Sequence, residues 1–205
     1  MRNTEKSRVL KLVLDVLNER KRFGISELGF SEEIFNNLKN RTLFSPSEKP
    51  LEPPFSGGTK RKRWESLKNR VLNCPVCRSH VKPGKKVVFG SGSLEASIFF
   101  CGEAPGAEEE EQGEVFVGKA GQLLMKIVGA MGFKRSDVYI GNIMNWRPET
   151  TTGVGNRPPT AEEMAFCLPY LKDQVSIVEP QVIVALGATA TNGLMGAHFK
   201  RPMRE

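Results

Sequence analysis

Residues 96–124 read ASIFFCGEAPGAEEEEQGEVFVGKAGQLL. The order of textures in this stretch decides the fold. Ala96–Cys101 is a short apolar run of strand length that ends at Gly102. A glycine-punctuated polar segment follows. Ala120–Met131 then places Leu123, Leu124, Ile127, Val128 and Met131 at helical intervals. Working outward, Val87–Phe89 is a β-rich run on the N-terminal side and Val138–Asn142 is a strand candidate on the C-terminal side. Thr160 with Glu163 three positions later forms a capping box. The helix it opens carries Met164, Cys167, Leu168, Leu171, Val175 and Val178 and stops before Pro180. Val182–Leu186 is an apolar strand, and Ala188–Leu194 begins another helix. Alternating strand and helix predict an α/β fold, a three-layer sandwich with a central, mainly parallel sheet covered by helices on both faces.

Residues 1–44 carry two apolar stripes, Val9–Leu17 and Leu28–Leu38, and predict a helical extension. Residues 45–65 combine a Pro/Ser/Gly-rich stretch with the basic run Lys60–Arg63 and read as a linker. That run suits either a phosphate contact or a solvated helix start. The α/β domain is expected over 66–205. The chain has 205 residues, 39% hydrophobic and 26% charged, which is a globular composition. The roughly 18-residue apolar run of a membrane span is missing, as is a secretory leader, so the expectation is a cytoplasmic protein with no membrane partner, and a monomer. A net charge of +7 favours a polyanionic partner. The four cysteines are Cys74, Cys77, Cys101 and Cys167. In a reducing compartment they suit thiols or metal ligands rather than disulfides. Cys74-Pro-Val-Cys77 has ligand spacing without a second such pair, so a zinc ribbon is poorly supported.

Ligands of open parallel sheets bind beyond the carboxyl ends of the strands. Three polar segments fall there: Gly102–Gly106, Gly141-Asn142 and Gly187–Thr189. Within the first loop, four consecutive glutamates, Glu108–Glu111, read mostly as a solvated face. Phe116, flanked by glycines, is placed to stack on a planar ligand. Asn142 suits either a site residue or a turn cap.

Taken as an ordered set, these segments resemble the family 4 uracil-DNA glycosylases, the iron–sulfur type. The likeness covers about Val71–Gly196: the C-x-x-C, the GEAPG loop, the FVGKAGQLL run, the strand Val138–Asn142, Arg147-Pro148, the turn Asn156-Arg157-x-Pro159-Thr160, the Cys167 helix and the LGATA strand end. It implies a DNA-repair hydrolase of base excision that cleaves the N-glycosidic bond of deoxyuridine in uracil-containing DNA. Asn142 corresponds to the residue that reads uracil, Phe116 to the stacking aromatic, and Glu103 and Ala104 to the pocket floor. Glu109 matches an acidic position suited to orienting water or balancing a cationic sugar. Glu103, Glu109 and Asn142 are thus the catalytic candidates, and Asn156 and Arg157 the DNA-binding ones.

The sequence departs from that pattern twice. The resemblance implies a [4Fe–4S] cluster on four cysteines. Cys74, Cys77 and Cys167 match three ligands, but Trp146 stands at the remaining position and Cys101 is an extra thiol before Gly102. This leaves a labile cluster or a site filled by Trp146, and the second is the expectation, with no other cofactor. The resemblance also implies a further strand and a His-Pro-Ser loop after LGATA. The sequence ends Phe199–Glu205 without them, and His80 and His198 are the only histidines. The chain is therefore expected to be C-terminally incomplete. The competing functions are a catalytically impaired DNA-binding relic of the same fold and a C-x-x-C metal or redox protein.

Overall fold

The computed structural model describes residues 58–148 and 155–195. The expected extension over 1–44 and most of the expected linker lie outside the described residues. Lys60–Glu65, grouped with that linker in sequence, belong instead to helix α1, Lys60–Leu72. Thr59 caps it by accepting from the Lys62 amide at 3.3 Å. The basic run also has structural work. Lys60 donates to the Val178 carbonyl at 3.1 Å and pairs with Glu179 at 3.3 Å, and Arg61 pairs with Glu65 one turn on.

The remaining elements are α2 (Pro75–Ser79), β1 (Ser91–Gly92), β2 (Ile98–Gly102), α3 (Ala107–Gln112), α4 (Lys119–Ala130), β3 (Tyr139–Asn142), α5 (Ala161–Val178), β4 (Val182–Ala185) and α6 (Ala188–Met195), with a 3-10 turn at Arg135–Asp137. The sheet order is β1-β3-β2-β4. β2 pairs in parallel with both β3 and β4, and only β1 runs antiparallel, against β3. The parallel sheet expected from sequence is therefore present, with one short antiparallel edge. Val87–Phe89 is buried but is not a strand. Its partner is a single residue, Asn145, whose carbonyl accepts from the Val88 amide at 2.8 Å and whose Nδ2 donates to the Val88 carbonyl at 3.1 Å.

Because β3 and β4 flank β2 on opposite sides, right-handed crossovers send the connecting helices to opposite faces. On one face Phe99, Cys101 and Tyr139 pack with Leu171 and Val178 of α5 and Ala190 of α6. On the other, Ile98, Phe100 and Ile140 are buried, as are Leu124 and Val128 of α4. A second core cluster joins Leu67 and Val71 of α1 to Cys77, Trp146 and Cys167. A buried polar chain ties α1 to the sheet: Trp64 Nε1 donates to the Tyr139 hydroxyl at 2.8 Å, which donates to Gln174 Oε1 at 3.0 Å. Among the described residues no helix is long and apolar enough to cross a membrane.

Candidate functional site

β2 and β3 end level, with Gly102 opposite Asn142. The chain leaving β2 stays fixed beyond that point. Its Gly102 and Glu103 carbonyls accept from the Ile143 and Met144 amides at 3.0 Å each, and its Cys101 carbonyl accepts from Leu186 at 2.8 Å. Both neighbouring strands thus hold the start of the GEAPG segment.

Asn142 is 5% exposed, and its Oδ1 is a buried acceptor with no hydrogen-bond partner among the described residues. Leaving such a group unpaired costs about 1–3 kcal/mol; Asn145 Oδ1 and Trp146 Nε1 share that state, and what sets Asn142 apart is its place at the strand end beside Phe116. A Cβ added at Gly102 would lie 2.4 Å from that oxygen and 2.6 Å from Phe116 Cζ. The Asn142 carboxamide and the Phe116 ring therefore converge over a residue that must be glycine. Phe116 has φ +55°, a strained value for a bulky side chain. Gly121 holds it there: a Cβ at 121 would sit 1.9 Å from the Phe116 carbonyl oxygen.

The glutamate run is not a uniformly solvated face. Glu109 and Glu110 are buried. The Glu109 carboxylate accepts from the Gly106 amide at 3.0 Å, the Val117 amide at 3.0 Å and the Gly118 amide at 2.8 Å. Gly106 and Gly118 are the N-caps of α3 and α4, and neither has a side chain with which to cap. One carboxylate therefore serves two helix N-termini, where negative charge is favoured. It also fixes both sides of the loop that carries Phe116. Glu110 lies 3.8 Å from Arg147. Glu103 and Ala104 are half-buried just past Gly102, and the Glu103 side chain makes no hydrogen bond or ion pair among the described residues.

The turn expected to face DNA is built from internal contacts. Arg147 Nε donates to Asn156 Oδ1 at 2.7 Å. Arg157 grips Glu163 through two hydrogen bonds of 2.7 Å each. That guanidinium holds the Glu163 carboxyl at about 2, well below its ordinary value, at the capping box of α5.

Cys74, Cys77 and Cys167 do come close enough to influence one another. Burial raises Cys77, to which Cys74 adds through a hydrogen bond and its charge, and burial pushes Cys167 up to about 12. Burial also pushes Cys74 upward, but hydrogen bonds from the Cys77 backbone and the Tyr170 hydroxyl outweigh it and leave that thiol below its ordinary value. Cys101 is buried elsewhere, on the sheet face under α5 and α6, so it does not complete the set. Trp146 packs in one cluster with Cys77 and Cys167 and stacks on His80 at 4.5 Å. Among the described residues no group of three or more His, Cys, Asp or Glu is arranged to hold a metal ion. These residues do not fit a four-thiolate cluster.

Sequence reasoning missed Glu110 and Asn145, both nearly inaccessible. The spacing of Glu109 three residues after Gly106 was a legible capping signal, but a glycine N-cap disguises it.

A sequence model of the Uracil DNA glycosylase superfamily matches residues 89–202. The chain is 44% identical over 132 residues to a type-4 uracil-DNA glycosylase of Thermotoga maritima, covering 64% of this chain and 66% of that protein. It is 41% identical over 131 residues to a type-4 uracil-DNA glycosylase of Pyrobaculum aerophilum, covering 64% of each. A type-5 uracil-DNA glycosylase of the same organism is 30% identical over 167 residues, covering 67% of this chain and 71% of that protein. The chain thus spans a little under two thirds of the length of the type-4 relatives.

Proposed function

Because the chain belongs to the uracil DNA glycosylase superfamily, we propose that it hydrolyses the N-glycosidic bond of deoxyuridine and releases uracil from DNA. The observation that carries this reading is the buried, unpartnered Oδ1 of Asn142 meeting Phe116 over Gly102. A base extruded from the stack needs hydrogen bonds to its pairing edge and an aromatic face to lie on. Uracil presents N3–H as donor and O4 as acceptor. Asn142 Oδ1 accepts from the first while Nδ2 donates to the second. Cytosine presents the reverse pattern and leaves both ends of the carboxamide opposed, a mismatch that discriminates strongly in a desolvated site.

The roles of the acidic residues divide by their partners. Glu109 is committed to three amides and acts as the clamp that sets Phe116. Glu103, unlike Glu109, makes no hydrogen bond or ion pair among the described residues; with Ala104 it borders the strand end where the base lies, and it orients the attacking water or offsets charge on the sugar. Asn156 and Arg157 shape the turn between Pro148 and α5, so that its backbone rather than the Arg157 guanidinium meets phosphate. No step runs through an iron–sulfur group. Buried Cys77 and Cys167, with the half-buried Cys74 against them, act as packing residues around Trp146, and the protein purified without oxygen is expected to carry well under four irons per chain.

The test is uracil release from oligonucleotides with one central deoxyuridine, with thymine and cytosine oligonucleotides beside them. Release of uracil alone supports the reading. No release from any of them removes it.

A further inference from the structure

A cleft of about 600 Å³ lies away from Asn142 and Phe116, between α1, α2 and residues 81–86 on one side and residues 112–114 on the other. Its charge is one-sided. Lys68, Arg78, Lys82, Lys85 and Lys86 line it, against the single carboxylate of Glu114. That carboxylate is occupied by Ser91 Oγ at 2.9 Å. Part of the positive charge is offset from outside the lining, since Lys85 pairs with Glu111. The lysines sit on a shaped support. Gly84 turns the chain at φ +80° between Lys82-Pro83 and Lys85, and a Cβ there would meet nothing within 4 Å, so the turn is open to a large partner.

The cleft is also tied to the base site by covalent distance. The Lys86 stem lies across Gly113, where an added Cβ would approach its Cδ to 2.8 Å. From Gly113 to Phe116 is three residues of chain, at most about 11 Å. A nucleic-acid strand advances about 3.4 Å per nucleotide in the duplex. Phosphates within about three nucleotides of a base resting on Phe116 therefore fall in reach of the cleft.

We propose that this cleft is a backbone track that takes the phosphodiesters of the strand carrying the target base. Only the identity of that base rests on the glycosylase reading; the track itself requires a nucleic-acid strand. Lysine and arginine contacts to phosphate position a strand without reading its sequence, which is what a base-extruding protein needs beside its pocket.

The experiment measures binding of the full chain to a uracil-free, fluorescently labelled single-stranded oligonucleotide as salt is raised. Arg78→Gln/Lys82→Gln changes two exposed side chains. It is expected to lower the slope of log affinity against log salt by about 1.4, at ~0.7 per phosphate contact on a single strand. Arg78→Lys/Lys82→Arg is expected to keep the parent slope, as is Lys126→Gln on α4. A slope unchanged by the double glutamine variant overturns the track. So does displacement of the oligonucleotide by inorganic phosphate beyond its ionic-strength effect, which would mark a free-phosphate pocket. Uracil release by the parent is scored separately: release with an unchanged slope sinks the track alone, and a lowered slope without release sinks the glycosylase reading alone.

Discussion

At the scale of single residues, Asn142 and Glu109 make opposite demands. Asn142 is buried with an oxygen left unpaired; Glu109 is buried with its carboxylate filled. Replacing the first is expected to remove function and spare the fold. Asn142→Ala is expected to slow uracil release by ~2–4 kcal/mol in transition-state terms, the range for losing one preorganised polar group, with no loss of melting temperature. Parent-like release would take Asn142 out of the site. Glu109→Gln retains the shape but turns one acceptor into a donor that faces backbone N–H groups, at a cost of about 1–3 kcal/mol of stability. If Glu109 acts through Phe116, base binding suffers and KM rises more than kcat falls. A fall in kcat at constant KM would instead return Glu109 to water activation. Gly102 and Asn142 are legible as strand ends because the α/β pattern places them there, and Phe116 as an aromatic set among glycines; the roles given to Asn142 and Phe116 come from the family resemblance. The sequence singles out Glu109 but not its buried neighbour Glu110, and it does not show that the Glu109 carboxylate caps two helix N-termini, because that meeting is made only in the fold.

At the scale of elements, β2, β3, β4, α4 and α5 were legible to within a residue or two, since apolar period and capping set them. The start of α1 was legible only as an alternative: Lys60–Arg63 groups with the linker, with a solvated helix start as one reading of it, and the structure places a helix start there and adds the α5 carbonyl that Lys60 finds far away in sequence. Val87–Phe89 reads as a strand because it is apolar; what it pairs with is one asparagine, which no local pattern announces. The start of α5 yields a pH prediction. Arg157 holds Glu163 at about 2, against an ordinary 4.5. A carboxylate with a depressed folded pKa contributes stability above its unfolded pKa and loses it as pH falls towards the folded one. Melting temperature is expected to drop between about pH 4.5 and 2, and Glu163→Gln to melt lower at neutral pH with a flatter profile over that window. An identical profile in the variant would show that the pair adds nothing to α5.

At the scale of the molecule, stability is graded across the sheet. β2 is fully buried and hydrogen-bonded on both sides, whereas β4 is only half-buried and, among the described residues, is an outer strand. Backbone amides of Phe99–Cys101 are expected to exchange with solvent far more slowly than those of Ile183–Ala185, because local opening begins where few apolar contacts hold. Equal protection of both would mean that something pairs with β4 in solution. The polar chain from Trp64 through Tyr139 to Gln174 has an optical consequence as well. The protein contains two tryptophans, and Trp64 and Trp146 pack in or against the same core cluster under α1. Neither is part of the strand-end pair formed by Asn142 and Phe116. Intrinsic emission excited at the indole band is therefore a gauge of one half of the molecule: it should shift to the red when α1 lifts and water reaches Trp64, and stay dark to a uracil base settling on Phe116. A Trp64→Phe protein would then report on Trp146 alone, and the difference between the two spectra would separate undocking of α1 from loosening around the cysteines.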